Sequence, residues 1–201
     1  SKGEHKKVAY GSEAELEGAI QSVQAALFGQ DRHYLDVKKK IGVRGIQENI
    51  PDGYLLDLSG SKPKLYVVEV ELASHDLLRH IAVQILQFSI SFEAERRKVR
   101  AVLFNAIQQV ASIKVACDSF VASKGFRNLD HLLDYLVHEV PFSAMIVIDE
   151  IPENLEAVLQ KKFQFPVVVL PLSKYGNTKG EVLYHFTPFL AELAQDVATP
   201  I

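Results

Sequence analysis

The sequence has a single cysteine, Cys117, and no apolar run as long as the ~18 residues a membrane-spanning helix needs. One cysteine excludes an internal disulfide and any cysteine-rich zinc site. Its setting, IKVACDSFVA, points to an inert core thiol. Residues Ser1 to Lys7 are polar, with no apolar segment behind them of signal-peptide type, so the expectation is a soluble, cytoplasmic protein without membrane contact. Residues 1 to 11 as a whole read as loose. The 11 glycines form neither a phosphate-cradling loop nor a dinucleotide fingerprint. None of the seven histidines makes the paired spacing with glutamate that zinc hydrolases use, and no serine lies in a nucleophile-elbow pattern. Internal repeats and linkers are also missing, so residues 1 to 201 read as one domain. A net charge of −3 argues against broad, non-specific affinity for nucleic acid. Two basic runs, Lys38-Lys39-Lys40 with Arg44 and Arg96-Arg97-Lys98 with Arg100, read as solvated faces.

What is present is a globular composition, 48% hydrophobic and 23% charged, organised around Ile50 to Leu72. Two strand-like runs, Tyr54 to Leu58 and Lys64 to Glu71, are joined by Ser59-Gly60-Ser61-Lys62-Pro63, whose glycine and proline favour a turn. Counting outward from a turn centred near Ser61 sets Asp52 opposite about residue 70. The open end of this hairpin then gathers Asp52, Glu69 and Glu71. Crowded carboxylates raise one another's pKa and repel, so such a corner calls for a cation, and oxygen ligands select a hard divalent ion such as Mg²⁺ or Mn²⁺. The competing reading makes Glu69 and Glu71 the solvent face of a strand whose Val68, Val70 and Leu72 face inward.

Upstream, Ser12 to Glu15 has capping-box spacing, and Leu16, Ile20, Val23 and Leu27 recur at helical intervals until Gly29. Glu17 flanks the apolar stripe, where it either reaches over the sheet edge or is simply solvated. His33 to Ile41 reads as a strand, with Gly42 and Gly45 in the loop that follows. Downstream, Ser74 with Asp76 opens a helix striped by Leu77, Ile81, Ile85, Phe88 and Phe92. His80, Gln84 and Phe88 form one column along its edge, where Gln84 either faces a ligand or is satisfied by backbone. Val99 to Phe104 reads as a strand, Asn105 to Cys117 as another strand or a short helix, and Asn128 to Glu139 as a helix. Then come a strand at Ala144 to Ile148, a helix at Glu153 to Phe163, a strand at Val167 to Leu172, a polar turn over Ser173 to Gly180 and a strand at Val182 to Phe186. Asp149-Glu150 sits at a strand's carboxyl end, but is better explained by the dipole of the following helix. The βαβ spacing implies an α/β fold with a mixed central sheet flanked by helices.

Taken in order, the helix with Glu17, the Pro51-Asp52 hairpin, the Glu69-Val70-Glu71 strand and the helix with Gln84 resemble the PD-(D/E)xK nuclease superfamily. The resemblance covers about residues 12 to 104 and implies a restriction-endonuclease-like α-β-β-β-α-β core, with 105 to 201 as a C-terminal α/β extension. It implies Asp52 and Glu69 as metal ligands, the Val70 carbonyl and Glu17 as further ligands, and Gln84 as an orienting residue of the Q-x-x-x-Y type with Phe88 in the aromatic position. Glu71 stands where the family has lysine, an E-x-E variant in which the second glutamate serves as base or as a ligand for a second metal. The implied activity is Mg²⁺- or Mn²⁺-dependent hydrolysis of DNA phosphodiesters, with a homodimer as a means of cutting both strands. The alternative on the same fold is an inactive module that binds nucleic acid or a protein partner.

Overall fold

A computed structural model describes residues 4–39, 41, 49–74, 77–153, 155, 159 and 163–189, with the backbone alone for 77–80. Helix α1 (Glu13–Phe28) starts where Ser12 Oγ accepts the Glu15 N–H, and Glu15 Oε2 in turn accepts the Gly11 N–H at 2.7 Å. It ends at Gly29, whose φ of 87° suits a residue without Cβ. Strands β2 (Arg32–Leu35), β3 (Gly53–Asp57) and β4 (Lys64–Glu71) follow as an antiparallel meander. Four helices then cross over: α2 (Leu77–Ala94), α3 (Arg96–Gln109), α4 (Ala111–Lys124) and α5 (Leu129–Asp134), the last running into a π-helical turn, Tyr135–Glu139. The chain returns to the sheet as β5 (Ala144–Ile148), parallel to β4, and β6 (Val167–Gly176), parallel to β5. Strand β7 (Val182–Phe186) and the N-terminal β1 (Lys6–Val8) both pair antiparallel with β6. The strand order is β1-β6-β5-β4-β3-β2, with β7 also on β6.

This is a mixed sheet flanked by helices, as the βαβ spacing implies. Alternation along the strands divides the core in two. Tyr66, Val68, Val70, Met145 and Val147 meet Leu16, Ile20 and Leu27 of α1 on one face. Leu65, Val67, Ile146 and Ile148 meet Ile81, Ile85, Phe88 and Leu103 of the crossover helices on the other. No described helix is long and apolar enough to cross a membrane.

Several expectations change. Val99 to Phe104 is not a strand but the middle of α3, and residues 111 to 124 are helical. The strand that returns beside the hairpin is therefore β5, and the core expected to close by residue 104 extends to 148. Strand β2 is half the length expected of His33 to Ile41; Ile41 makes only an isolated bridge to Asn49. Residues 1 to 11 are not all loose, because Lys6, Lys7 and Val8 pair with β6. The polar stretch from Ser173 to Gly176 continues β6 rather than turning. Cys117 is buried, and burial pushes its thiol up to about 12. Lys40, Gly42, Arg44, Gly45, Asp76 and most of the helix expected at Glu153 to Phe163 lie outside the described residues; Leu155 and Leu159 are helical and buried.

Candidate metal and phosphate site

The hairpin turn spans Leu58 to Pro63, and the register pairs Asp57 with Lys64 and Gly53 with Val68. Continued by one residue, it sets Asp52 opposite Glu69, one position short of the simple count. Strand pairing stops there because the Asp52 carboxylate takes over: Oδ2 accepts the Val70 N–H at 2.9 Å. Gly53 is needed at this point, since a Cβ would lie 2.6 Å from the Leu35 carbonyl oxygen and 2.8 Å from the Tyr34 ring. Strand β2 thus packs tightly against the base of the acidic corner.

Glu69 and Glu71 continue the alternate series of Leu65 and Val67, so they belong to the strand face that the crossover helices cover. Both are buried, at 7% and 6% exposure, which excludes the solvent-face reading. Glu71 Oε1 accepts the Leu72 N–H at 3.0 Å. Glu69 Oε2 is buried and has no hydrogen-bond partner among the described residues. Its carboxyl is pushed up to about 9, first by burial and then by the negative charges of Asp52, Glu71 and Glu13, with Lys38 opposing them. Burial also raises Asp52, against the Val70 amide and Lys38. Glu17, on the second turn of α1, does reach this end of the sheet: its Oε1 lies 2.6 Å from Lys38 Nζ, which is 3.7 Å from Asp52 Oδ1.

The structure therefore brings Glu17 and Asp52 to Lys38, and Glu69 lies near enough to feel the charges of Asp52, Glu71 and Lys38. Gln84 stands apart: its Oε1 is buried without a hydrogen-bond partner, so backbone does not satisfy it, and no described contact joins it to the carboxylates. Phe88 is a core residue of α2, and the side chain of His80 lies outside the described residues. Asp149 Oδ1 accepts the Ala73 N–H at 2.7 Å and ties the exit of β4 to the end of β5, while most of the helix expected after it lies outside the described residues. Asp57 belongs elsewhere, in a buried pair with Arg32 at 2.9 Å. In the second basic run, Arg96 bonds Glu93 and the Val137 and His138 carbonyls, while Arg100 bonds Asp130 and Asp134.

Lys38 is the residue that sequence reasoning passed over as part of a solvated run. The signal was present in the β2–β3 register: Leu35 pairs with Tyr54, so the residues after Leu35 return alongside Asp52. A 430 Å³ cleft opens beside it, lined among others by Asp36, Val37, Lys38, Lys39, Asn105 and Gln109.

Among the described residues, no three histidine, cysteine or carboxylate side chains already converge on one point as a metal cage. The oxygen donors of this corner are of the chemical kind that hard cations prefer. The corner supplies carboxylate oxygens only, one of them buried and unpartnered, and Mg²⁺ completes its shell with water and phosphate oxygens rather than requiring an all-protein cage. No protein-family model, curated protein or solved structure matches the chain.

Proposed function

We propose that the chain is a divalent-metal-dependent nuclease that hydrolyses DNA phosphodiesters. The observation that carries this reading is the unpartnered, buried oxygen of Glu69 beside Asp52, in a corner where, among the described residues, carboxylates outnumber cations. Asp52 and Glu69 would hold the ion, with Glu17 and the Val70 carbonyl as further ligands. The ion, Mg²⁺ or Mn²⁺, would polarise the scissile phosphate and acidify water. Glu71 would orient that water and take its proton as the water oxygen bonds to phosphorus and the bond to the leaving sugar oxygen breaks; solvent would return a proton to that oxygen. Gln84 would steady the arrangement from α2.

The restriction-endonuclease-like core belongs to the same reading. Helix α1, strands β2, β3 and β4, a helical crossover and parallel β5 follow the α-β-β-β-α-β order, with four helices where one suffices. A homodimer would place two such corners on opposite DNA strands. Glu71 in the lysine position favours the second reading, an inactive module of this fold that binds nucleic acid or a protein partner.

Calorimetric titration of Mn²⁺ into the wild type and Asp52→Ala, followed by incubation with plasmid and single-stranded DNA, separates the two. Uptake and cleavage that both disappear in Asp52→Ala support the nuclease. Indifference of both proteins to the ion replaces it with the binding module.

A further inference from the structure

We propose that Lys38 is the working cation of this corner, occupying the ion's place in the metal-free chain and moving onto the phosphate when the ion arrives. The proposal rests on the nuclease reading and names a phosphate-contacting residue where position 71 supplies none.

Three observations carry it. First, Lys38 bridges carboxylates from two separate elements, Glu17 of α1 and Asp52 at the head of β3, at 2.6 and 3.7 Å. An ammonium between two oxygens that a hard ion would share is in direct competition with that ion. Asp36 adds negative charge nearby, its own Oδ2 accepting from Gln21 Nε2 at 2.7 Å. Second, the backbone presents it: the Lys39 N–H donates to the Val37 carbonyl at 3.1 Å, a three-residue turn with Lys38 at its centre. The side chain is 46% exposed and flexible, so it can leave the carboxylates for a ligand in the cleft at its side.

Third, two other described cations at this end of the sheet are already engaged, Lys174 with Glu15 and Lys7 with Glu150, while Lys39 lines the same cleft as Lys38. Once a divalent ion takes Asp52, Glu69 and Glu17, Lys38 loses both of its carboxylate partners. A phosphate oxygen in the cleft then becomes its natural acceptor, as a point charge meeting developing negative charge.

The test uses Lys38→Cys in the full chain. Aminoethylation of Lys38→Cys with 2-bromoethylamine rebuilds an ammonium of nearly lysine length. Cys117 is spared because it is buried. Far-UV circular dichroism checks that the exposed substitution leaves the fold intact. Mn²⁺ affinity is read by calorimetry, and cleavage on plasmid and end-labelled single-stranded DNA. Lys38→Cys is expected to bind Mn²⁺ about tenfold more tightly and to cleave roughly 100-fold more slowly, the scale of losing one charge-stabilising group. Aminoethylation is expected to reverse both. Wild-type affinity and rate in Lys38→Cys overturn the proposal, as does a slow variant that the restored ammonium does not rescue.

The two readings fail separately. Mn²⁺ uptake that appears only in Lys38→Cys, with no cleavage by either protein, supports the competition and retires the nuclease. No uptake by either protein overturns both.

Discussion

Replacing Glu69 by Gln keeps the side chain's shape but removes a group that the fold holds in the wrong charge state. The Glu69 carboxyl rises from an ordinary 4.5 to about 9 on folding. Across that window the folded chain keeps a proton that the unfolded chain releases, so this contribution to stability is complete below the unfolded value and declines as pH rises toward the folded one. At pH 7 the gap to 4.5 is 2.5 units, which at about 1.4 kcal/mol per unit is about 3 kcal/mol. The raised Asp52 carboxyl acts in the same direction. For a chain of this size, about 3 kcal/mol corresponds to roughly 6–12 °C in Tm. Thermal unfolding in EDTA, from pH ~5 to ~9, should show the wild type losing Tm steadily and Glu69→Gln holding a flatter line above it. Adding Mn²⁺ should raise the wild type and leave the variant unmoved, because ligand binding stabilises only the chain that binds it. Parallel wild-type and variant profiles across this range would refute the reasoning, for they would mean that Glu69 is as well solvated folded as unfolded.

Two further substitutions test the frame around the corner. Arg32→Ala should cost about 3–5 kcal/mol in urea denaturation, because it leaves Asp57 as a buried, uncompensated charge and strips the Phe28 and Phe189 carbonyls of their donor. A loss below about 1 kcal/mol, the surface-pair range, would count against it. Gly53→Ala should cost about 1–3 kcal/mol, since the new Cβ would lie 2.6 Å from the Leu35 carbonyl oxygen and must push β2 away. It should also weaken Mn²⁺ uptake, because Asp52, the residue before Gly53, would be shifted from its place on the Val70 amide; unchanged stability and uptake would show that β2 can shift freely.

Much of the hairpin was legible because its signals are local. Strand β4 runs over Lys64–Glu71 as its turn and alternation imply, β3 begins one residue early, and β5 and β7 have their expected bounds. The Val99 to Phe104 run misled because six mostly apolar residues suit strand or helix equally. Val99, Leu103, Ala106 and Ile107 are buried at helical intervals, and the period emerges only over the longer window. Strand β6 outran its apolar segment because β1 and β7 supply backbone partners for Ser173 to Gly176, which no side-chain pattern announces. Of the candidate site, the acidic residues were readable from spacing, and their burial was not, since it depends on the crossover helices covering that end of β4. Lys38 was hidden for a related reason: a lysine in a basic run acquires its meaning only from the carboxylates that a neighbouring strand carries back to it.

The four-helix crossover also bears on how the chain reaches this state. Asp52 and Glu69 face each other across a hairpin, a contact of short sequence separation, whereas β4 meets β5 only after α2, α3, α4 and α5. Short loops close at little entropic cost and long ones late, so the acidic pair assembles before the helical layer that buries it. The repulsion between the two carboxylates is then met while the hairpin is still wet, and its burial is deferred to the final docking of the crossover. Relief of that repulsion should act mainly on the rate of unfolding rather than of folding.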